Sequence, residues 1–284
     1  MVNEKTKQKI AFTCCKAATL TVIAILLTVL GTLLYEGFHV INSQFLLSPW
    51  SHQDITKGGI IQAILGTLYL GIGVFIISFP IGIMTAVYLQ EYAQDNYITR
   101  IIKNAMRNLA GVPSIIYGLF GFAFFVLFLH LGTSLLAASL TLSCMTLPWI
   151  ISTSNEALRQ VPASFREASY ALGATQWQTV KKAVLPYSLS GMLTGAVLGV
   201  SRAMGETAPI ILVGATFYMP HLPSSIFDKF MALPFHLFVL ATQHSSPNAR
   251  SYAEGTAIIL ICLITLFNTG IFFIRHHLRE KKAW

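Results

Sequence analysis

The stretch STSNEALRQVPASFREASYALGATQWQTVKKAVLPY, residues 152–187, is polar and charged, and it separates two apolar runs, 135–151 and 189–213. Apolar runs of about 17–25 residues are long enough to cross a bilayer as helices. Of the 284 residues, 54% are hydrophobic and 11% are charged, with a mean hydropathy of +0.64. About a quarter of the residues of a soluble domain are charged. The sequence therefore predicts an all-helical, polytopic membrane protein in which 152–187 is a loop.

Six membrane-spanning helices are predicted from the apolar runs, within one transmembrane domain that covers residues 1–284. They are Ala17–Leu34, Ile60–Leu89, Leu109–Leu129, Leu135–Ile151, Leu189–Val213 and Ala257–Ile274. A further apolar stretch, Phe230–Ala241, is too short to span and contains Pro234. Stretches of this length are usually re-entrant or interfacial, so we place it inside an extracytoplasmic loop, 215–250.

The positions of the Lys and Arg residues indicate the orientation. Most of the 19 basic residues fall in the two termini and in the two loops predicted to lie on the same side, whereas the opposite loops hold Lys57, Lys229 and Arg250. Because cytoplasmic loops of membrane proteins carry an excess of Lys and Arg, both termini are predicted to be cytoplasmic. This topology accounts for the net charge of +8, and nucleic-acid binding is not needed to explain it.

Motifs for catalysis or metal binding are not found in the sequence. Cys14, Cys15, Cys144 and Cys262 do not have the spacing of a metal site. Neither a phosphate-binding P-loop nor a His-Glu-x-x-His zinc motif occurs. We therefore predict a chain that is not an enzyme and that holds no metal or cofactor of its own.

Loop 152–187 itself is predicted to form a hairpin of two short amphipathic helices. Thr153 with Glu156 and Thr175 with Gln178 each fit a capping box, the reciprocal hydrogen-bonding pattern that starts a helix. Gly173 lies between them, where a helix commonly ends in the left-handed conformation. Such a hairpin is either a solvated or membrane-surface element or a docking element for a soluble partner.

The fifth apolar run contains two charged residues, Arg202 and Glu206, close to its predicted centre. Ionisable residues inside membrane spans usually mark transport paths. The forked donors of a guanidinium suit an oxyanion such as phosphate, and a carboxylate beside it favours an anion that keeps a P–OH proton over sulfate, which has none. The alternative is a purely structural ion pair.

Small residues recur every four positions along the same run, which predicts close helix packing. They are Gly191, Gly195 and Gly199. At 100° per residue the two charges project toward this small-residue side. The residues predicted to face lipid are Leu193, Val197 and Val200.

EASYALGATQWQTVKKAVLP, residues 167–186, resembles the EAA loop of the permeases of ABC importers. The matching residues are Glu167, Ala168, Ser169, Gly173, Leu185 and Pro186, with Ser169 standing where the family usually has alanine. The resemblance implies that this hairpin docks into a separate ATPase subunit. It also implies that ATP and Mg are bound by that partner, which fits the missing P-loop.

SRAMGETAPI (201–210) and GVPSIIYGLFG (111–121) together resemble the permeases of Pst phosphate importers, and the Ala-Pro after Gly-Glu-Thr is similar to the PstA type. The resemblance implies a MetI-like fold in a prokaryotic inner membrane and a substrate path at Arg202, Glu206 and Thr207. It also implies a PstC-like sister permease, two copies of a PstB-like ATPase and a PstS-like extracytoplasmic phosphate-binding protein. The third-span motif comprises Gly111, Pro113 and Ser114, which either kink the helix or contribute directly to the path.

Two other functions remain open at this point. The first is a permease for a different oxyanion, such as sulfate or molybdate, against which the carboxylate of Glu206 argues. The second is a stand-alone channel or membrane sensor without an ATPase, against which the hairpin argues. An intramembrane enzyme is a more distant alternative, because paired catalytic residues were not found.

Overall fold

The computed structural model describes residues 4–51, 56–219, 221–243 and 246–280. This part of the chain is helical apart from its loops and an isolated bridge between Ala215 and Phe230. The α-helices are α1 (Glu4–Gly37), α2 (Ser43–Leu47), α3 (Ile61–Val87), α4 (Tyr97–Leu109), α5 (Ser114–Gly121), α6 (Leu135–Arg159), α7 (Ala163–Ala171), α8 (Gln176–Thr179), α9 (Leu185–Met204), α10 (Ala208–Val213), α11 (Leu233–Thr242) and α12 (Ala249–Glu280). A 3₁₀ turn covers Phe38–Val40, and π-helical segments cover Tyr88–Tyr92, Phe122–Phe128 and Val180–Val184.

Within the described residues, five helical segments are long and apolar enough to cross a membrane. They are Lys5–Val40, Ile61–Tyr92, Leu135–Arg159, Gln176–Met204 and Ala249–Phe273. A bent pair of helices makes a sixth span if the pair is counted as one. The prediction of an all-helical membrane protein is therefore confirmed, and each helix overlaps the apolar run that predicted it.

The third predicted span, Leu109–Leu129, is wrong at its start. The chain turns by 106° between α4 and the apolar segment Ser114–Phe128. Pro113 occupies the N-cap position of α5. Since proline lacks an N–H and restricts the residue before it to extended conformations, one helix cannot run through this point. The apolar part of the span is therefore shorter than predicted.

The fifth predicted span, Leu189–Val213, is wrong at both ends. Its helix begins at Gln176, inside the predicted loop, and continues to Met204. Pro186 lies within this helix, directly after the π-helical segment Val180–Val184. The wider π turn accommodates the missing N–H of the proline. At the other end α9 stops at Met204, and a separate helix, α10, follows.

The predicted capping box of Thr153 and Glu156 is also wrong, because α6 continues without interruption to Arg159. The Thr153 hydroxyl donates to the carbonyls of Trp149 and Ile150, at 3.0 and 3.1 Å, as an interior helix residue does. The second predicted capping box, Thr175 with Gln178, is confirmed. The hairpin therefore consists of α7, the turn at Gly173 and the first part of the long helix that ends at Met204.

The centre of the molecule is formed by α3, α6 and α9. Its buried residues include Leu70, Val74, Leu142, Val200, Ala203 and Met204. Glycines bring the helices close together: a Cβ on Gly71 would lie 2.7 Å from the sulfur of Met204, and one on Gly82 would lie 2.5 Å from Ile150. Small residues at helix contacts are typical of membrane proteins, where van der Waals packing holds helices together.

Two smaller clusters lie beside this centre. One joins the hairpin to α3, α6 and α9 and includes Val87, Leu158, Val180 and Met192. The other joins α2, α11 and α12 and includes Phe45, Met231 and Leu240. The short apolar stretch predicted to be re-entrant forms α11, which packs against α12 and α3.

Helix α1 stands largely apart from the rest of the chain. Its apolar window has 0% of its residues buried. Its end approaches α12, where a Cβ on Gly37 would lie 2.7 Å from the backbone of Glu254. Most of the apolar surface of α1 is therefore left for lipid or for another chain.

Candidate functional site

Arg202 and Glu206 lie at the end of α9, not at the centre of a span as predicted. Arg202 is in the last turn of α9, and Glu206 is in the short connection to α10. The Nε of Arg202 is 3.6 Å from Oε1 of Glu206, and the two side chains are 64% and 17% exposed. Glu206 therefore lies beside the Nε edge of the guanidinium, and most of the other N–H donors of Arg202 remain available to a ligand.

Gly205 and Pro209 explain why α9 stops here. Gly205 is the C-cap residue, and its N–H donates to the carbonyl of Arg202 over 3.0 Å. Pro209 occupies the first turn of α10, where its missing N–H costs no helical bond. Thr207 is the N-cap residue of α10. The three residues between the helices thus contain both predicted path residues that follow Arg202.

The two sequence motifs, GVPSIIYGLFG and SRAMGETAPI, meet at Gly118 and Pro209. A Cβ on Gly118 would lie 2.7 Å from the Cα of Pro209 and 3.1 Å from its carbonyl oxygen. Gly118 was not among the predicted site residues, although it belongs to the quoted motif. The contact fixes α10, and with it the connection that carries Glu206, against α5.

The predicted third-span residues form the bend that precedes α5. The N–H of Gly111 donates to the carbonyl of Asn108 at 3.0 Å, and Pro113 caps α5 ahead of Ser114. The hydroxyl of Tyr117 donates to the carbonyl of Leu109 across the bend at 2.9 Å. Gly111, Pro113 and Ser114 therefore lie in the bend between α4 and α5, which is the kink that was one of the two predicted alternatives.

The small-residue stripe of α9 faces α6. A Cβ on Gly191 would lie 2.8 Å from that of Ala157, one on Gly195 2.1 Å from the hydroxyl of Thr153, and one on Gly199 3.2 Å from Trp149. A side chain at Gly191 or Gly195 would have to displace its neighbour, and one at Gly199 would be tight, so the two helices pack closely along this stripe.

The predicted lipid-facing side of α9 is wrong for two of its three residues. Val197 and Val200 are buried, at 5% and 0% exposure, because α9 is enclosed by neighbouring helices on that side. The open side instead carries Leu198 and Arg202. Next to it, a cavity of about 320 Å³ is lined by Thr194, Val197, Leu198, Asn268, Thr269, Ile271 and Phe272.

The hairpin exposes some of the residues that were predicted to contact an ATPase. Glu167 and Ala168 are exposed on α7, and Leu185 and Pro186 are half-buried where the hairpin joins α9. Gly173 has a φ of +79°, the left-handed conformation predicted for it. Large apolar side chains surround the turn and are open to solvent, namely Tyr170, Leu172 and Trp177 at 46%, 89% and 59% exposure. Exposed apolar side chains that lie together are common at interaction surfaces.

Ser169, the departure from the EAA pattern, has a partner inside the hairpin. Its hydroxyl is 2.8 Å from that of Thr179, which is buried. The hydrogen bond ties α7 to α8, a contact that an alanine does not make.

An ion pair that the sequence did not predict joins the hairpin to the second span. Arg166 of α7 binds the carboxylate of Glu91, at the end of the second span, through two N–H···O bonds of 2.7 and 3.2 Å. These bonds raise the pKa of Arg166 above its ordinary value. The two residues are 75 positions apart, so no local pattern reveals the pair. The one signal is a carboxylate directly after an apolar run.

A family model described as binding-protein-dependent transport system inner membrane component matches residues 78–283. The chain belongs to this family. The match includes the hairpin, both motifs and all of α9, so the resemblance read from the sequence is confirmed. The chain is a multi-pass permease subunit of an ABC importer, not an enzyme, and in these systems the ATPase is a separate subunit.

Curated relatives align over most of the permease. It is 34% identical to the phosphate transport system permease protein PstA of Mycobacterium leprae, over 88% of this chain and 83% of that protein. It is 28% identical to the probable ABC transporter permease protein YqgI of Bacillus subtilis, over 94% of each. It is 32% identical to the phosphate transport system permease protein PstC of Pasteurella multocida, over 87% and 85%.

Solved structures share the fold of the permease. A bacterial alginate ABC transporter, solved with a periplasmic protein bound to an alginate pentasaccharide, aligns with a TM-score of 0.67 at 14% identity over 99% of each chain. The inward-facing MetNI methionine ABC transporter aligns with a TM-score of 0.59 at 20% identity, over 78% of this chain and 94% of that one. At these identities the likeness concerns the fold alone.

Within the described residues, His, Cys, Asp and Glu do not form a group of three or more that could hold a metal ion.

Proposed function

We propose that this permease carries inorganic phosphate and forms half of the translocation path of an ATP-driven importer. The observation that carries the proposal is the Arg202–Glu206 pair, 3.6 Å apart beside the break between α9 and α10, with Arg202 64% exposed. The PstA relative, at 34% identity over most of both chains, supports the same cargo.

The chemistry of the pair suits phosphate. Arg202 offers a planar fork of N–H donors, which binds two oxygens of a tetrahedral oxyanion at once. Near neutral pH phosphate still carries a P–OH group, which donates to an acceptor such as the carboxylate of Glu206. Sulfate has no proton to donate, so its oxygens meet the negative carboxylate without a compensating hydrogen bond and are repelled.

The exposure of Arg202 indicates that another chain completes the path. A charged side chain open to lipid is costly, so the face that carries Leu198 and Arg202 is expected to meet a sister permease, of the PstC type. Helix α1, whose apolar window has 0% of its residues buried, offers a further surface on which a neighbouring chain could pack. Thr207, in the connection after Glu206, is the third proposed path residue.

The hairpin is proposed to dock into an ATPase subunit that holds the ATP and Mg. Its exposed Glu167 and Ala168, together with Leu172 and Trp177 around the Gly173 turn, form the contact surface. Two such ATPase copies, one per permease, and an extracytoplasmic phosphate-binding protein complete the importer. Both termini are proposed to lie in the cytoplasm, since they share a side with the basic loops.

Membership of the importer family removes the stand-alone channel as an alternative, and a different oxyanion remains the competing cargo. Proteoliposomes containing the permease, its sister permease, the ATPase and the binding protein distinguish the cargoes by uptake of labelled phosphate, sulfate and molybdate. We expect ATP-dependent uptake of phosphate alone. ATP-dependent uptake of sulfate or molybdate in preference to phosphate would overturn the proposal.

A further inference from the structure

Glu91 lies at the point where the second span meets the hairpin. It belongs to the π-helical segment Tyr88–Tyr92 that continues α3, and its side chain is only 7% exposed. Its Oε1 accepts from Nη2 of Arg166 at 2.7 Å, and its Oε2 accepts from Nε at 3.2 Å. Parallel bonds of this kind fix both the distance and the orientation of the two groups.

The junction around Glu91 contains more than this pair. Arg166 also donates to the carbonyls of Val161 and Leu158, at 2.9 and 3.1 Å. The side-chain amide of Gln176, the first residue of α8, donates to the backbone carbonyl of Glu91. One carboxylate and its peptide group therefore connect the end of the second span to both helices of the hairpin and, through Arg166, to the end of α6.

Stability alone is a weak explanation for this arrangement. The desolvation of a buried carboxylate and guanidinium offsets much of the free energy gained from their attraction. Apolar residues of similar volume often stabilise a protein as much as such an ion pair, or more. What the ion pair adds is a single fixed geometry between Glu91 and Arg166. A fixed geometry matters at a junction through which movement of the hairpin is transmitted to the membrane helices.

The hairpin is linked to two helices that meet again in the membrane. One is the Gln176–Met204 helix, which continues from the hairpin along the chain. The other is α3, whose contacts with the hairpin among the described residues are the Glu91 junction and side-chain packing. They touch where Gly71 of α3 faces Met204, two residues beyond Arg202. Hairpin, α3 and α9 thus form a closed frame, with the Glu91 junction at one corner and the Gly71–Met204 contact at another.

We propose that Glu91 is a positioning residue that latches α3 to the hairpin, so that α3 and α9 move as one body when the hairpin is displaced. The proposal rests on the proposed function in that it takes the hairpin to be the ATPase docking site. With the latch intact, displacement of the hairpin is transmitted to the Arg202 end of α9 by two routes, along α9 itself and through α3. With the latch broken, α9 moves against a stationary α3, and part of the motion is lost.

The Asp95–Arg100 ion pair provides a matched control. It lies four residues further along the chain and has a similar geometry, with Arg100 bonded to both carboxylate oxygens of Asp95 at 3.1 and 3.0 Å. Its side chains are 71% and 67% exposed, and it joins residues of one local turn. Asp95→Asn therefore removes the same type of charge from a pair that connects no separate helices.

The test uses the assembled complex with sister permease and ATPase. Spin labels are placed at exposed Met84 on α3 and Ser164 on α7, in a background with the native cysteines replaced by serine. Distances are measured without nucleotide and after vanadate trapping. The wild type and Asp95→Asn should give one narrow distribution that is the same in both states. Glu91→Gln and Arg166→Lys should broaden or shift it.

The second readout is the amount of cargo imported per ATP hydrolysed. For Glu91→Gln we expect this ratio to fall about tenfold with the ATPase still bound, because loss of a buried charge partner strongly shifts a local equilibrium. Arg166→Lys, which keeps the charge but not the fork, should lie between Glu91→Gln and wild type. Wild-type distances and ratios in both variants would overturn the latch.

Failure of the latch and failure of the proposed function are distinguishable. If the wild type imports sulfate in place of phosphate, the proposed cargo is wrong. The label distances are measured without cargo, so they still test the proposed role of Glu91. If Glu91→Gln does not assemble, Arg166→Lys carries the test, because it preserves the buried charge. If the ATPase docks elsewhere, the label distances measured without nucleotide still test the latch, because they compare the variants before any ATP-driven movement.

Discussion

Gly118 of α5 and Pro209 of α10 are in backbone contact, with space for no more than a hydrogen atom between them: a Cβ on Gly118 would lie 2.7 Å from the Cα of Pro209. Both residues belong to the two stretches that pointed to the family. Their contact holds α10 in place, and α10 directly follows the connection that contains Glu206 and Thr207. The geometry of the proposed anion site therefore depends on a glycine in a different span.

Gly118→Ala should destabilise the permease by about 1–3 kcal/mol, because the added methyl must displace backbone atoms of Pro209. Gly111→Ala is the matched control. A Cβ at Gly111 would lie an ordinary 3.5 Å from its nearest neighbour, the carbonyl oxygen of Asn108. Thermal unfolding in detergent measures both variants. Equal unfolding midpoints for Gly118→Ala and Gly111→Ala would show that the close approach of α5 and α10 does not contribute to stability.

Arg202→Gln should reduce phosphate uptake by about 10- to 100-fold, since hydrogen bonds to charged groups contribute about 1.5–3 kcal/mol each. Arg202→Lys should restore little, because an ammonium is a point charge without the fork. Uptake is measured in proteoliposomes at matched levels of assembled complex. Arg202→Leu combined with Glu206→Leu tests the structural alternative. Phosphate import by this double variant at the wild-type rate would make the pair structural.

Glu206→Gln separates recognition of the phosphate proton from simple anion binding. The change keeps the size and removes the charge that repels fully deprotonated oxyanions. We expect slower phosphate uptake together with sulfate or molybdate uptake above the wild-type background. The measurement is competition between labelled phosphate and unlabelled sulfate. Undiminished exclusion of sulfate would mean that selectivity lies elsewhere along the path.

Gly173→Val should disturb the tip of the hairpin, because a β-branched residue at a φ of +79° costs about 1–2 kcal/mol. Gly173→Asn is the control, since asparagine tolerates this conformation. Glu167→Lys tests the same surface without backbone strain, because Glu167 is exposed. We expect Gly173→Val and Glu167→Lys to weaken co-purification of the ATPase, and Gly173→Asn to retain it. Full ATPase binding by all three variants is incompatible with docking at this tip.

Orientation is tested by cysteine labelling in whole cells. The structure leaves Lys57, Lys182 and Lys229 exposed. Cysteines at 57 and 229 should react with an impermeant maleimide from outside, whereas a cysteine at 182 should react only after the cells are permeabilised. Outside labelling at 182 would invert the predicted topology and place the hairpin on the wrong side for an ATPase.

Hydropathy predicted where the chain crosses the membrane, because each long apolar run needs to be a helix in lipid. It did not predict the helix ends. The average hydropathy stays high across Gly205 and Pro209, although Pro209 cannot donate within a continuing helix. The same averaging hid the bend before Pro113. A proline accompanies both breaks, but treating every proline as a helix breaker would also have divided α3 and α6, which contain Pro80 and Pro148.

The candidate site was predicted unevenly for a related reason. Arg202, Glu206 and the glycine stripe have local signatures, so the sequence singled them out. The other helices determine which side of α9 is exposed. Val197 and Val200 were predicted to face lipid but are buried for that reason. The Glu91–Arg166 pair joins distant parts of the chain, and one sequence contains no information on which distant charges meet.

The uninterrupted helix from Gln176 to Met204 has a mechanical consequence. Its 29 residues correspond to a rod of about 43 Å at about 1.5 Å per residue. If such a rod tilts by about 10° around its hairpin end, its far end sweeps about 7 Å, more than the step between successive turns of a helix. A rotation of the hairpin through this small angle would therefore move the Arg202 end of the helix sideways by more than one helical step, enough to change which neighbours surround the guanidinium.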